Sequence, residues 1–183
     1  MSSDSSTPDV REQLVRGGLV LVAQEGPADL SVRRLAKAAD RTTMCIYSKF
    51  GNRSGLIEAI YQRAAQELLG ALDAAPPGFP ALAAAYHRHV ERAAGAYALL
   101  FEQPLEAVDL ERAVRTDLIA AIVARIATRL EIEDADRRDL AARTLWSTMH
   151  GLTALRGSDA WDEASFSAAL AATLSGFTAS RVG

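Results

Sequence analysis

The sequence is poor in cysteine and aromatic residues and has no long apolar run. Its one cysteine, Cys45, excludes an intramolecular disulfide and indicates a reducing compartment. No stretch of about 18 apolar residues predicts a membrane-spanning helix. Residues 1–8 are polar, without the apolar centre of a signal peptide. We therefore expect a cytoplasmic protein.

The sequence also lacks the residue spacings that support catalysis. It contains no phosphate-binding loop, dinucleotide fingerprint, zinc-ligand spacing or nucleophile elbow. His87 and His89 diverge on a helix, and His87 with Glu91 supplies two ligands without a third, so a solvated pair is the simpler interpretation. We expect no cofactor, no metal site and no enzymatic activity. An enzyme that uses a cavity in the helical part of the chain is the alternative.

The patterns that are present predict an all-α fold. The chain has 183 residues, of which 49% are apolar, so it can bury a core without a disulfide or a metal. Apolar residues recur at helical spacing, and no segment alternates with the period of two that marks strands. We predict about nine helices and no internal repeat.

Capping and breaking residues predict the helix ends of the N-terminal half. Thr-Pro at residues 7–8 is placed to begin a first helix, and Gly-Pro at 26–27 to stop it. Gly17 and Gly18 weaken this helix, so we expect a close helix crossing there. A long fourth helix then leads to the proline-rich segment 73–80, which is the clearest boundary between elements.

The C-terminal half is predicted to be helical with short breaks. Residues 95–104 are expected to interrupt one helix, and residues 106–130 to form a single further helix. Asp134 and Asp162 are placed as N-caps of the last two helices.

Residues 30–50, LSVRRLAKAADRTTMCIYSKF, predict two short helices joined by a tight turn. Ser31 and Thr42 are expected to cap the two helices with their hydroxyl groups. Asp40 tolerates the left-handed backbone that the turn requires. The second helix is expected to bury Ile46 and Phe50 and to turn four side chains outward: Thr43, Met44, Tyr47 and Lys49.

Charge is unevenly distributed along the chain. The net charge is −3 overall, but residues 30–55 hold six basic residues against one acidic residue, a local charge of +5. The remainder, with 14 basic and 22 acidic residues, carries −8. A basic segment on an otherwise acidic chain is typical of a DNA-reading head on an acidic body. Ordinary solvated helix faces are the alternative explanation.

The segment from Leu30 to Leu56 resembles the N-terminal signature of TetR-type transcriptional regulators. The matching features are Ser31, Ala38-Ala39, Thr42, the Tyr-x-x-Phe at 47–50, and Arg53. They lie within the first third of the chain. Helix-turn-helix proteins place their second helix in the DNA major groove.

Three positions depart from the TetR pattern. Asp40 and Arg41 stand where the family usually has Gly-Val, and Met44 stands where a small residue is common. The charge at Arg41 predicts a looser turn or an added phosphate contact, and Met44 changes which bases are read. The departures affect the operator sequence more than the fold.

The resemblance implies a ligand-responsive repressor that binds a palindromic operator in double-stranded DNA as a homodimer. Ser31, Thr42 and Tyr47 would donate to phosphates, and Thr43 and Met44 would touch base edges. The full set of predicted DNA-binding residues is Ser31, Arg33, Arg34, Arg41, Thr42, Thr43, Met44, Tyr47, Lys49 and Arg53. The alternative is a helical interaction protein whose DNA-binding head has degenerated through the changes at Arg41 and Met44.

A second resemblance lies at residues 146–151, WSTMHG, which are similar to the Trp-x-x-x-His-Gly signature of one group of TetR C-terminal domains. That group pairs its last two helices with those of a second subunit. Small residues that permit close helix approach are consistent with this role, although alanine-rich helices of high propensity are the alternative. They are Ala141, Ala142, Ala168, Ala169, Ala171, Ala172, Ser175 and Gly176.

The resemblance further implies an effector cavity in the C-terminal domain. We predict a helix-turn-helix domain over residues 8–53, a connecting helix over 54–72, and an effector-binding and dimerisation domain over 73–183. A mostly apolar lining with a few polar groups is typical of small-molecule sites; a solid core is the alternative. The predicted lining is Tyr86, His89, Val90, Phe101, Ile122, Trp146, Met149 and His150.

Cys45 lies within the predicted DNA-reading helix. A basic surrounding would favour its thiolate and a redox-sensing role. A small packing residue is the simpler interpretation.

Overall fold

A computed structural model describes residues 9–155 and 163–178. All regular secondary structure in these residues is helical, and nine α-helices are present, which confirms the predicted fold class. A π-helical segment, Ala98–Glu102, and a 3₁₀ segment, Leu105–Val108, lie between the sixth and seventh helices. The α-helices are α1 Val10–Glu25, α2 Val32–Ala38, α3 Thr43–Phe50, α4 Arg53–Asp73, α5 Phe79–Arg92, α6 Ala94–Tyr97, α7 Arg112–Ala127, α8 Ala135–Ala154 and α9 Glu163–Thr178.

The chain packs as two compact units. The first comprises the described residues up to Glu67 together with Ala93–Arg115. The second comprises Leu68–Arg92 together with the described residues from Thr116 onwards. Residues 93–115, which the sequence interpretation placed with the C-terminal domain, therefore pack with the N-terminal helices.

In the first unit, α1 packs against α2, α3 and α6. A Cβ added at Gly17 would lie 2.6 Å from Ala39 Cα, and one added at Gly95 would overlap the Val22 carbonyl oxygen. Only glycine permits such backbone approach. The close crossing predicted at Gly17 is confirmed, and a second one holds α6 on α1.

The ends of α1 differ in part from the sequence prediction. Asp9 is the N-cap, and its carboxylate accepts from the backbone N–H of Arg11 at 3.2 Å. Residues 7–8, predicted to start the helix, lie outside the described residues. The C-terminal end is as predicted, since Gly26 follows the helix with a φ of 75°.

Two predictions for the middle of the chain need correction. The interruption predicted at residues 95–104 occurs earlier, because α5 ends at Arg92 and Ala93 leaves the helical conformation with a φ of −129°. The residues that follow are themselves helical, since α6 continues into the π-helical segment, where Gln103 N donates to Ala98 O at 2.7 Å. Residues 106–130 are not one helix. Asp109 adopts a left-handed φ of 57°, and α7 begins only at Arg112.

In the second unit, α8 packs against α5 and α9. The N-cap predicted at Asp134 is confirmed, since its carboxylate accepts from Arg137 N at 2.7 Å. Asp162 lies outside the described residues. Ala141 and Ala142 are fully buried within the chain itself, so their predicted place on a dimer surface was wrong.

His87 was also misjudged. The sequence suggested that it forms a solvated pair with Glu91, whose carboxylate lies 3.9 Å from Nε2. Instead the imidazole is only 3% exposed and lies 4.7 Å from the Phe166 ring, centroid to centroid. It occupies the face of α5 that packs on α9, one turn after Ala83.

Within the described residues, no helix is long and apolar enough to cross a membrane. Among the same residues, no three His, Cys, Asp or Glu side chains come together to hold a metal ion.

Candidate nucleic-acid interface

The α2–turn–α3 segment is fixed by a small buried cluster and by its turn. Leu35 and Ile46 are fully buried. At the turn, Arg41 N donates to Ala36 O at 2.9 Å and Asp40 N donates to Lys37 O at 3.0 Å. These two bonds form a Schellman motif, which requires a left-handed residue after the helix. Asp40 supplies it with a φ of 52°, as predicted.

The two predicted hydroxyl caps are absent. Ser31 and Thr42 occupy the N-cap positions of α2 and α3, but neither side chain makes a capping hydrogen bond. The Thr42 hydroxyl lies 3.5 Å from Cys45 Sγ instead. This hydrogen bond, with smaller contributions from the positive charges of Arg41 and Lys49, lowers the pKa of the Cys45 thiol. The helices are therefore oriented by the buried cluster and the turn rather than by their caps.

The outward face of α3 is as predicted in most respects. Met44 is 71% exposed and Tyr47 is 50% exposed, while Lys49 is exposed and Thr43 is half-buried. The outward side chains of α3 are therefore accessible to a large partner such as a DNA duplex.

The prediction that Phe50 is buried was wrong. Its ring is half-exposed, and the Arg11 guanidinium lies 4.9 Å above the ring centroid. A cation over an aromatic face is favourable, so an α1 arginine covers a ring that the core does not enclose.

The basic residues divide into exposed and engaged side chains. Arg33 and Lys37 are exposed. Arg34 forms ion pairs with Glu25 and with Asp29, the latter at 2.9 Å. Arg33 and Lys37 are therefore exposed to solvent, whereas Arg34, which lies between them in sequence, is held by two carboxylates.

Arg41 is also engaged. Its Nε donates to Gln13 Oε1 of α1 at 2.8 Å, and its Nη2 donates to the same oxygen. The side chain remains exposed. This contact ties the turn to α1, so the charged residue does not leave the turn loose.

Arg53 connects two distant parts of the first unit. Its Nε donates to Leu30 O at 2.8 Å, and its Nη1 lies 2.5 Å from Asp109 Oδ2. The arginine side chain is 28% exposed. Sequence reasoning missed Asp109 because nothing local marks a partner 56 residues away.

Three of the predicted effector-site residues form a cluster in the second unit. The Tyr86 hydroxyl lies 3.1 Å from His150 Nδ1. The Trp146 ring stands edge-on to Tyr86 at 5.5 Å and stacks on His150 at 4.9 Å. We call Tyr86, Trp146 and His150 the aromatic cluster.

The other predicted effector residues are more scattered. Ile122 and Met149 are fully buried, and His89 and Val90 are half-buried on α5. Phe101 belongs to the first unit, where its ring lies 5.3 Å from Tyr97.

Sequence reasoning missed a cavity elsewhere in the second unit. It lies between α5 and α9 and measures about 90 Å³. Phe79, Ala83, Phe166 and Leu170 form its walls. The signal in the sequence is weak, because the walls consist of ordinary apolar residues at helical spacing on both helices.

An all-helical fold and a helix-turn-helix with an exposed second helix are typical of DNA-binding regulators. Residues 79–177, more than half of the chain, match a family described as "Tetracyclin repressor-like, C-terminal domain". The chain belongs to this TetR-type family of transcriptional regulators. Comparison with curated proteins gives no match.

Solved structures with the same fold are numerous. A TetR-family transcriptional regulator from Streptomyces coelicolor is 20% identical with a TM-score of 0.69, covering 92% of this chain and 81% of its own. A transcriptional regulator from Rhodococcus is 18% identical with a TM-score of 0.72, covering 93% and 96%. The multidrug binding protein EbrR, complexed with imidazole, is 21% identical with a TM-score of 0.66, covering 91% and 90%.

Proposed function

We propose that the protein is a ligand-responsive repressor that binds a palindromic operator as a homodimer. The observation that supports this most strongly is the outward face of α3. Ile46 is fully buried and holds the helix, while Met44 and Tyr47 project from it with exposures of 71% and 50%. A helix that presents side chains in this way can enter the major groove and reach base edges.

The proposed contacts follow from chemistry and position. Thr43 and Met44, at the N-terminal end of α3, read bases: the hydroxyl by hydrogen bonding and the thioether by apolar contact, for example with a thymine methyl group. Ser31, Thr42 and Tyr47 donate hydroxyl hydrogen bonds to phosphates. The remaining contacts are made by positive charges, of which Arg33 and Lys49 are exposed and accessible.

Three proposed contacts involve arginines that already have partners. Arg34, Arg41 and Arg53 are bonded to acidic or amide side chains of the first unit. A phosphate binds them either by displacing those partners or through guanidinium N–H groups that these bonds do not use. Ion pairs at partly exposed positions are worth only about 0.2–1 kcal/mol, so the exchange is energetically accessible.

The proposed functional domains are those of a two-part regulator. Residues 8–53 bind DNA, residues 54–72 connect, and residues 73–183 bind effector and form the dimer. Support for a dimer surface comes from exposed small residues of α9, including Ala168, Ala172 and Gly176. A regulator of this kind acts at the chromosome, which is consistent with a cytoplasmic location.

The proposed effector site is built around the aromatic cluster. A phenol and an imidazole joined by one hydrogen bond can exchange that bond for one to a ligand, while Trp146 supplies an apolar face. His89, Val90, Ile122 and Met149 complete the proposed site in the second unit. A ligand changes DNA affinity only through its differential binding to two arrangements of the protein.

A mobility-shift assay with DNA from upstream of the protein's own gene tests the proposal. The protein is expected to shift this DNA but not a shuffled sequence of the same composition. Met44→Ala should change the preferred sequence. Leu140→Ala is the matched control, since Leu140 is also a large exposed apolar residue, 59% exposed, but lies on α8. Equal binding to both DNAs by the unaltered protein would reject a sequence-specific regulator and favour a helical interaction protein.

A further inference from the structure

The cavity between α5 and α9 is bounded by core residues. Phe79 and Ala83 of α5 are 2% and 1% exposed, and Phe166 and Leu170 of α9 are 3% and 6% exposed. A space of about 90 Å³ lies between these side chains. Unfilled apolar space forfeits dispersion contacts, and an occupant would restore them.

The chemistry of the lining selects an uncharged occupant. Ser167 carries the one polar side chain among the lining residues, and none of these residues is charged. A charged group placed there would lose its hydration without gaining a partner, which is strongly unfavourable. Cations and anions are therefore poor ligands for this cavity.

The Phe166 wall of the cavity packs against a buried ring of α5. The Phe166 ring lies 4.7 Å from the His87 imidazole, at an interplanar angle of 33°. His87 is itself 3% exposed, so its ring is fixed by the core. The wall exists before any ligand arrives, which removes part of the ordering cost of binding.

The volume limits the size of the group that enters. An engineered apolar cavity of roughly 150 Å³ accepts benzene, and the cavity here is smaller, at about 90 Å³. Its opening is bordered by more exposed lining residues, Ala84, Ser167 and Ala171. A short alkyl chain or one edge of a ring fits inside, with the rest of the molecule in the opening.

We propose that this cavity is a binding site for a small uncharged molecule that presents a short alkyl or single aryl group. None of the eight residues predicted for the effector site lines it, so it is a second site. The proposal goes beyond the regulator function and does not depend on DNA binding.

Toluene binding to the full chain, followed by methyl NMR, tests the proposal. Saturable shifts are expected at the methyl groups of Ala83 and Leu170. Ala84→Phe fills the opening and should weaken toluene binding at least about tenfold, or about 1.4 kcal/mol. Ala81→Phe is the matched control, since Ala81 is also a half-buried alanine of α5 but does not line the cavity. It should leave toluene affinity unchanged.

A second pair of variants guards against misfolding. If Ala84→Phe does not fold, Ala171→Phe and its control Ala164→Phe repeat the comparison on α9, where both alanines are exposed and only Ala171 lines the cavity. The proposal is overturned if toluene gives no saturable shift up to its aqueous solubility, or if it shifts residues of the aromatic cluster instead. It is also overturned if the cavity variant and its control lose binding equally.

A second copy of the chain is the competing occupant. In that case Ala84→Phe would alter the molar mass measured by light scattering, Ala81→Phe would not, and toluene would not bind, which overturns the small-molecule proposal. A normal mobility shift in the same preparation would show that the proposed DNA binding does not depend on ligand binding in this cavity.

Discussion

The Nη1 atom of Arg53 lies 2.5 Å from Oδ2 of Asp109, a residue 56 positions further along the chain. The same guanidinium donates to Leu30 O, just before the N-cap of α2. Asp109 sits in a left-handed turn between the 3₁₀ segment and α7. One side chain at the start of α4 therefore joins the entrance of the helix-turn-helix to the segment that follows α6, within the first unit.

Asp109→Asn should strengthen DNA binding. The change removes the carboxylate that engages Arg53, so the guanidinium becomes available to a phosphate. The slope of log affinity against log salt should become steeper by up to about one unit. Fluorescence anisotropy at several salt concentrations measures it. Glu111→Gln is the control, because it removes the same charge from an exposed position two residues away. Equal effects of the two variants would show that only net charge matters.

Asp40→Val should destabilise the protein by about 1–2 kcal/mol, because a β-branched side chain is strained at the φ of 52°. Asp40→Gly should stay within about 1 kcal/mol of the unaltered protein, since glycine adopts this conformation freely but gains entropy when unfolded. Urea unfolding at one fixed protein concentration compares them. Similar midpoints for Val and Gly would mean that the turn is not held in the left-handed conformation.

Gly17→Ala should destabilise the protein by about 1–3 kcal/mol, because the new Cβ meets backbone atoms of Ala39, which can move only with α2. Gly70→Ala is the matched change in α4, where nothing lies within 4 Å of the new Cβ. It should stabilise by up to about 1 kcal/mol through helix propensity. Thermal unfolding that shifts in the same direction for both substitutions would contradict a close crossing of α1 and α2 at Gly17.

Acid should remove a contribution that Asp73 makes to stability. A side-chain hydrogen bond from Arg125, at 2.7 Å, lowers the pKa of Asp73 below its ordinary 3.8. A carboxyl whose folded-state pKa is depressed stabilises the fold above its unfolded pKa, and this stabilisation is lost as pH falls through the folded value. Both side chains are partly exposed, so the effect is small.

Asp73→Asn should therefore lower stability at neutral pH and flatten its decline below about pH 4. Urea unfolding at several pH values provides the measurement, with Asp117→Asn, an exposed carboxylate on the same helix as Arg125, as the comparison. Identical acid profiles for Asp73→Asn and the unaltered protein would contradict the assignment.

The local features were predictable from the sequence because their causes are local. Ile46 is the aliphatic residue in the middle of α3, and this position marks the buried face of the helix. Asp40 suits a left-handed turn, and Asp134 suits an N-cap, for reasons contained in a few neighbouring residues. These determinants were enough for the helical fold and for the outward face of α3.

The features that the sequence did not predict depend on residues far apart in the chain. Phe50 has the spacing of a core residue, but its ring is covered by Arg11 of another helix. His87 is polar, and its burial follows from the packing of Phe166 against it. Apolar residues recur at helical spacing from Leu110 into α7, which predicts one helix. The left-handed backbone at Asp109 nevertheless separates α7 from the segment before it. Such outcomes require the tertiary arrangement to be known.

The most direct test of the regulator proposal is a salt-dependent affinity measurement on two DNAs, the region upstream of the gene and a shuffled copy. Lys49→Ala should weaken binding to both and reduce the salt slope by about one unit, since it removes a phosphate contact. Met44→Ala should alter the ratio of the two affinities with little change in slope. If both variants instead weaken both DNAs by the same factor, or if the unaltered protein does not distinguish the two, then α3 does not read bases and the central claim is contradicted.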